Sequence, residues 1–229
     1  MAATEAASTL SWWEEAGVDT IVGEEPHAWL EPKAKAAAEA PVAAPPPDAL
    51  PATIESFHAW LAGSDLLPFA TPGATRAAPT GDPAAPLMVL TDLPSEDGGL
   101  ISGEAGLLFD KMLDAMQLSR DAIYLAPLSP IRPPAGRIGP AEVAALAEIA
   151  RHHVGLVAPS ALLLFGDTCG KALLGSAVAG ARGRWHALQT AAGPVRTLVT
   201  IRPEKLVDQP GLKKFVWDDL QMVMEELRP

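Results

Sequence analysis

From residue 86 onward, apolar positions alternate between two spacings, and together they predict a regular succession of strands and helices. The run Leu87-Met88-Val89-Leu90 is short and uninterrupted, the pattern of a strand buried on both faces. Over residues 103–118, Leu107, Leu108, Met112, Leu113 and Met116 recur at helical spacing. Residues 122–126 predict a second strand. Residues 140–157 predict a second helix, with Pro140 at its start, where a missing N–H is tolerated. Residues 161–165 read as a third strand, followed by Gly166-Asp167 and a helix to residue 174. Residues 195–201 read as a fourth strand and residues 211–227 as a final helix. Strands alternating with helices predict a parallel sheet covered on both faces, an α/β sandwich. Ligands in such sheets gather beyond the carboxyl ends of the strands, here residues 91–99, 127–137, 166–168 and 202–206.

The first 85 residues have a different texture. Residues 1–30 contain an amphipathic, acidic stretch from residue 10 onward with three tryptophans, Trp12, Trp13 and Trp29. This stretch either docks on a protein partner, folding as it binds, or packs back onto the domain. Residues 31–52 are rich in Ala and Pro and read as an extended linker. Residues 53–85 lead into the domain of residues 86–229. They open with a helix to residue 63 whose cap is Thr53 and whose apolar face is Ile54, Phe57, Trp60 and Leu61. A proline-rich loop follows. The net charge of −11 is concentrated upstream: residues 1–85 carry 12 acidic and 3 basic side chains, and residues 86–229 carry 16 and 14. An acidic chain is a poor prior for binding a phosphate backbone, while the near-neutral domain is compatible with it if its bases gather on one face.

Cys169 is the only cysteine, which excludes a disulfide framework, a four-thiolate zinc site and a cysteine-ligated cluster within one chain. No apolar stretch reaches the length of a membrane span, and the N-terminus has no basic region followed by an apolar core. The expectation is a soluble, cytoplasmic protein.

Each strand end carries candidate chemistry beside a plainer alternative. Residues 91–99 hold Asp92, Glu96 and Asp97 beside two glycines: a carboxylate able to orient a water, or a solvated loop capping the next helix. The proline-fixed loop at residues 127–137 holds Arg132 and Arg137, which suit phosphate or pair with nearby carboxylates. Gly166 leads into a helix N-terminus, a place for an anion, or one simply capped by Asp167. Cys169 lacks a basic neighbour and reads as packing. Arg202 and Lys205 flank a proline turn ending in Leu206, which is either a wedge for a base stack or the cap of the last helix. Arg184 lies in a basic, aromatic cluster with Arg182, Trp185 and His186. The histidines form no metal or triad pattern, and at most one of His152 and His153 can face the core.

Six stretches occur in a telling order: residues 81–89, residues 103–113, Arg132-Pro133-Pro134-Ala135-Gly136-Arg137, residues 157–166, Gly183-Arg184-Trp185-His186 and Trp217-Asp218-Asp219-Leu220-Gln221. By these the chain resembles the uracil-DNA glycosylase superfamily, most closely its iron–sulfur class (family 4), over nearly two-thirds of its length. The resemblance implies a three-layer α/β/α sandwich with a four-stranded parallel sheet. It also implies a site with departures. Asp92, in Thr91-Asp92-Leu93-Pro94-Ser95, stands where the family has a glutamate between glycines. Ile101 matches the phenylalanine that stacks on the extruded base, and Pro127 matches the asparagine that reads its edge. Arg202, in Arg202-Pro203-Glu204, matches the histidine of a His-Pro-Ser loop. Ile131 and Leu146 match two cluster cysteines, so no cofactor is expected.

On the enzyme reading, Asp92 orients water, Arg202 stabilises the departing base, and Pro94, Ile101 and Pro127 wall the base pocket. Arg132, Arg137, Arg184 and Lys205 contact DNA, and Leu206 fills the vacated stack. Two functions stay open: a divergent glycosylase of base-excision repair, hydrolysing a base–deoxyribose bond, or a degenerate scaffold that binds DNA or a protein.

Overall fold

The computed structural model describes residues 50–228. The tryptophan-bearing segment of residues 10–30 and nearly all of the linker lie outside the described residues. Helix α1 (Ile54–Gly63) begins as its sequence dictates, with Thr53 Oγ1 accepting from the Ser56 N–H at 3.3 Å. The sheet strands are β1 (Thr80–Gly81), β2 (Leu87–Thr91), β3 (Tyr124–Pro127), β4 (Ala161–Phe165), β5 (His186–Thr190) and β6 (Gly193–Thr200). The helices that join them are α2 (Gly103–Ala115), α3 (Pro140–Val157), α4 (Asp167–Leu174), α5 (Val178–Ala181), α6 (Pro203–Asp208) and α7 (Lys213–Glu226).

The strand order is β1-β3-β2-β4-β6-β5. The four inner strands run parallel, while β1 and β5 close the two edges antiparallel. The sheet is therefore mixed and six-stranded, larger than the four strands expected from the pattern. Every residue of β2, β3 and β4 is buried, which accounts for their uniformly apolar runs. The missed strands carry little signal: β1 has two residues, and β5 buries only Leu188.

Right-handed crossovers place α2 on one face and α3 on the other, because β2 leads to its neighbour on one side while β3 returns across to β4. Accordingly α2 packs on α6, and α3 packs on α4 and α1. The chain thus leaves β2 and its neighbour β4 toward opposite faces, the arrangement that opens a crevice beyond their carboxyl ends.

The main core lies between the sheet and these layers. A second apolar cluster of Phe57, Leu61, Leu67, Ile131 and Ile149 fastens α1 to α3. Among the described residues no helix is long and apolar enough to cross a membrane.

Candidate functional site

Register sets the site. Thr91 pairs with both Pro127 and Phe165, and Phe165 pairs with Thr200, so the inner strands end level with one another. Asp92 is the first residue beyond β2, Gly166 the first beyond β4, and Arg202 the second beyond β6. At the usual spacing of strands, β2 and β6 lie about 10 Å apart, within the span of an arginine and an aspartate reaching toward each other. Asp92 and Arg202 line the same two cavities, one of about 320 Å³ with Pro94, Arg132 and Glu204, the other of about 470 Å³ with Gly166, Thr168 and Lys205.

Asp92 is buried, with 7% of its surface exposed. Its Oδ1 accepts the Cys169 N–H at 2.8 Å, at the first turn of α4. Gly166 makes this approach possible. Its φ of +97° favours glycine, and a Cβ there would come within 2.5 Å of Asp92 Oδ2. Burial pushes the Asp92 carboxyl above the ordinary carboxylate range, against the Cys169 hydrogen bonds, the Arg202 charge and the Thr168 hydroxyl, which pull it down. Arg202 occupies the N-cap position of α6, is exposed, and makes no ion pair among the described residues. The pair thus presents a desolvated carboxylate beside a free guanidinium.

The other expected site residues divide. Pro94 lines the smaller cavity, and Lys205 the larger. Arg132 also lines the smaller one, but its donors are already engaged by the Pro94 carbonyl at 2.9 Å and Glu96 at 3.4 Å. Arg137 is exposed. Arg184 is exposed too, donating to the Gly180 carbonyl at 3.0 Å. It precedes β5 at the end where His186 pairs with Thr197, on the carboxyl side of β6.

Three residues are not where the resemblance puts them. Ile101 is 1% exposed and turned into the core by a left-handed backbone (φ 52°), with its carbonyl held by Arg120 at 3.0 Å. It lines a separate cavity beside Gly103 and Arg120, at the start of α2. Pro127 is buried as the last residue of β3 and lines neither cavity. Leu206 is 1% exposed: it anchors α6 in the main core and is no exposed wedge.

Several motif residues hold the frame. Asp167 accepts the Val178 N–H at 2.8 Å, so it caps α5 while Gly166 stands at the N-cap of α4. Asp97 accepts from Ser102 Oγ at 2.7 Å and the Gly99 N–H at 3.0 Å, tying the acidic loop to the start of α2. Arg182 pairs with the fully buried Asp219, which also accepts from Thr200 Oγ1 at 2.6 Å and so secures the end of β6. Trp185 lies under the Arg196 guanidinium, 4.8 Å from ring centroid to charge. The basic, aromatic cluster of the sequence is thus mostly structural, with Arg184 its free member.

The donor set does not fit an iron–sulfur cluster. Ile131 sits in the second apolar cluster, Leu146 is buried in the main core, and Cys169 is buried with its Sγ 3.7 Å from the Leu90 carbonyl. Burial and the Asp92 carboxylate push that thiol well up, away from the thiolate a metal needs. Among the described residues no three His, Cys, Asp or Glu side chains converge on a metal position.

Glu204 was given no role by sequence reasoning, although it stands third in Arg202-Pro203-Glu204. It lines the smaller cavity, and its Oε2 is buried without a hydrogen-bond partner. Phe69, also without an expected role, lines an adjoining cavity of about 540 Å³ that shares Pro94, Glu96 and Arg132 with the smaller one. Compared with known families, residues 78–221 match the family model described as Uracil DNA glycosylase superfamily.

Proposed function

Because the chain belongs to the uracil-DNA glycosylase superfamily, we propose that the cavities at the carboxyl ends of β2, β4 and β6 receive a nucleotide extruded from DNA, and that the protein hydrolyses its base–deoxyribose bond in base-excision repair. The observation that carries this reading is that Asp92 and Arg202, 110 positions apart in the chain, line the same two cavities. Asp92 orients a water toward the sugar C1′ and accepts its proton as the C–O bond forms. The C1′–N bond breaks with its electron pair leaving on the base, where the permanent charge of Arg202 stabilises the developing anion. Burial supports the role of Asp92, since a carboxyl raised above its ordinary range is a stronger base than a solvated one. Lys205, Arg137 and Arg184 are free to contact the phosphate backbone on either side, with Arg132 joining them if it releases Glu96.

A strand-cleavage assay tests this reading, using oligonucleotides that carry uracil, hypoxanthine, xanthine or a mismatch. Turnover on one of these substrates is expected, falling by about 100-fold or more in both Asp92→Ala and Arg202→Ala. A second reading, a scaffold that binds DNA without cutting the glycosidic bond, is favoured by one feature: among the described residues no aromatic side chain lines either cavity beside Asp92 to stack on a base. Absence of turnover with salt-sensitive DNA binding retained selects that reading, and absence of both refutes the two together.

A further inference from the structure

The aromatic side chain that is missing beside Asp92 stands next door. Phe69 lines the cavity of about 540 Å³ that shares Pro94, Ser95, Glu96 and Arg132 with the smaller one, so the two adjoin along that wall. A turn of unusual composition holds Phe69 there. Its φ of 67° lies in the left-handed region, at the third position of the turn that the Ala70 N–H closes onto the Leu67 carbonyl at 3.1 Å. Pro68 comes before it, and a turn with proline second and a left-handed residue third ordinarily takes glycine at that third place. The next turn, Thr71-Pro72-Gly73-Ala74, repeats the pattern with glycine there, at φ 80° and closed at 3.0 Å. The chain thus meets one backbone requirement twice in succession, and at Phe69 it carries the strain of a bulky side chain. Packing on both apolar clusters uses part of the half-buried ring, and the rest lines the cavity.

The chemistry of this cavity suits a nucleobase and disfavours a phosphate. Glu96 and Asp97 on its wall are exposed acids. Its sole cation among the described residues, Arg132, already donates to Pro94 and Glu96. Thr71 and Thr75 bring hydroxyls that donate or accept, and so meet any base edge. The volume lies within the span of about 300–1,000 Å³ usual for small-molecule sites. We infer that this cavity takes the nucleotide adjacent to the extruded one, with its base stacked on Phe69, so that the protein engages two consecutive unpaired nucleotides. A base stacked on Phe69 has left both its pairing partner and its own stack. The substrate class follows as DNA that is single-stranded or locally unpaired around the target. Stacking reads the face of a ring and tolerates any neighbour, so the identity of the second base matters little. This inference rests on the nucleotide-binding reading above.

The test measures equilibrium binding of the full chain to single-stranded oligonucleotides of one length, made of baseless tetrahydrofuran nucleotides throughout or carrying one base or two adjacent bases at the centre. One base should raise the affinity of wild type, and the second should raise it by about tenfold more, the scale of one base stacked on an aromatic ring. Phe69→Leu keeps an apolar side chain but has no ring, so the gain from the second base should fall to about twofold or less while the gain from the first is unchanged. Phe69→Tyr should retain both gains, and thermal unfolding reports whether each variant folds. No gain from the second base in wild type, or an undiminished one in folded Phe69→Leu, overturns the inference while leaving the cavity beside Asp92 a nucleotide site. Loss of the first gain as well in Phe69→Leu would place a lone base on Phe69 and overturns the two-nucleotide footprint. No gain from the first base in wild type overturns the nucleotide-binding reading itself, and with it this inference.

Discussion

At the scale of single residues, stability and chemistry pull Asp92 in opposite directions. Its folded carboxyl sits above the ordinary range because burial disfavours the charge. The folded state therefore holds a proton at pH values where the unfolded chain has released it. Stability is full below the ordinary carboxylate range and declines as pH rises through the raised value. Hydrolysis needs the ionised form. Asp92→Asn retains an oxygen for the Cys169 N–H and removes the buried charge. The variant is expected to be inactive yet at least as stable as wild type by urea unfolding at pH 7, an advantage that closes toward pH 4 as wild type takes up its proton. A variant markedly less stable at pH 7 would mean that Arg202 and the α4 N–H groups more than compensate the buried charge. The sequence made Asp92 and Arg202 legible because both follow strands, and strand ends converge whatever their separation along the chain. It could not make Ile101, Pro127 or Leu206 legible in the same way. Matching a motif assigns a position, whereas a left-handed φ at Ile101 or a core-facing turn at Leu206 decides where the side chain points.

At the scale of elements, α1 is held to the sheet by apolar packing and by one polar chain. The Tyr124 hydroxyl lies 2.6 Å from His58 Nε2 and 2.8 Å from His153 Nε2, joining α1, β3 and α3. The single hydroxyl hydrogen goes to one imidazole, and the other imidazole donates to the oxygen, so the two rings carry complementary tautomers. Burial, with the charges of His58 and His152 adding to it, pushes His153 down to about 3 from its ordinary 6.5. His58 is also lowered by burial, against the pull of Glu55. Between about 3 and 6.5 the unfolded chain binds more protons than the folded one, so stability rises with pH across that window. The urea-unfolding advantage of wild type over His153→Gln should be smaller at pH 5 than at pH 7, a difference from which the opposing pH dependence of Asp92 drops out. Tyr124→Phe should cost about 1–3 kcal/mol at pH 7 by leaving both imidazoles short of a partner. Faster amide exchange in α1 should accompany it, and a wild-type advantage over His153→Gln that does not change between pH 7 and pH 5 would contradict the assignment. Helix α1, its Thr53 cap and the rule that at most one of His152 and His153 faces the core were legible, since these follow from local spacing; that His153 is the inward one came from the structure. The tie between His58 and Tyr124 was not legible, since they are 66 positions apart and meet only through the sheet.

At the scale of the whole molecule, the question is how an acidic chain meets DNA. Nearly all of the net charge of −11 comes from residues 1–85, and residues 86–229 hold 16 acidic against 14 basic side chains. Several of those bases are consumed internally: Arg120 by Asp110, Arg151 by Glu148, Arg182 by Asp219 and Arg196 by Glu226. Around the carboxyl ends of the strands, Lys205, Arg137 and Arg184 make no ion pair among the described residues. Glu96 beside them, 90% exposed, works against a phosphate. Three free bases imply few displaced counterions. If each meets one phosphate of a duplex, the logarithm of the binding constant should fall against the logarithm of salt concentration with a slope of about −3. Arg137→Ala or Lys205→Ala should each make that slope shallower by about 1 without changing which base is preferred, because phosphate contacts position the duplex and do not read it. Arg202→Ala should behave differently, weakening binding to a duplex with an extrudable base while leaving the slope nearly unchanged, since its charge faces the cavity and not the backbone. A slope near zero in wild type would show that these bases meet no phosphate. A slope far steeper than −3 would require cations beyond the three that the strand ends present, and would move the DNA-facing surface elsewhere on the chain.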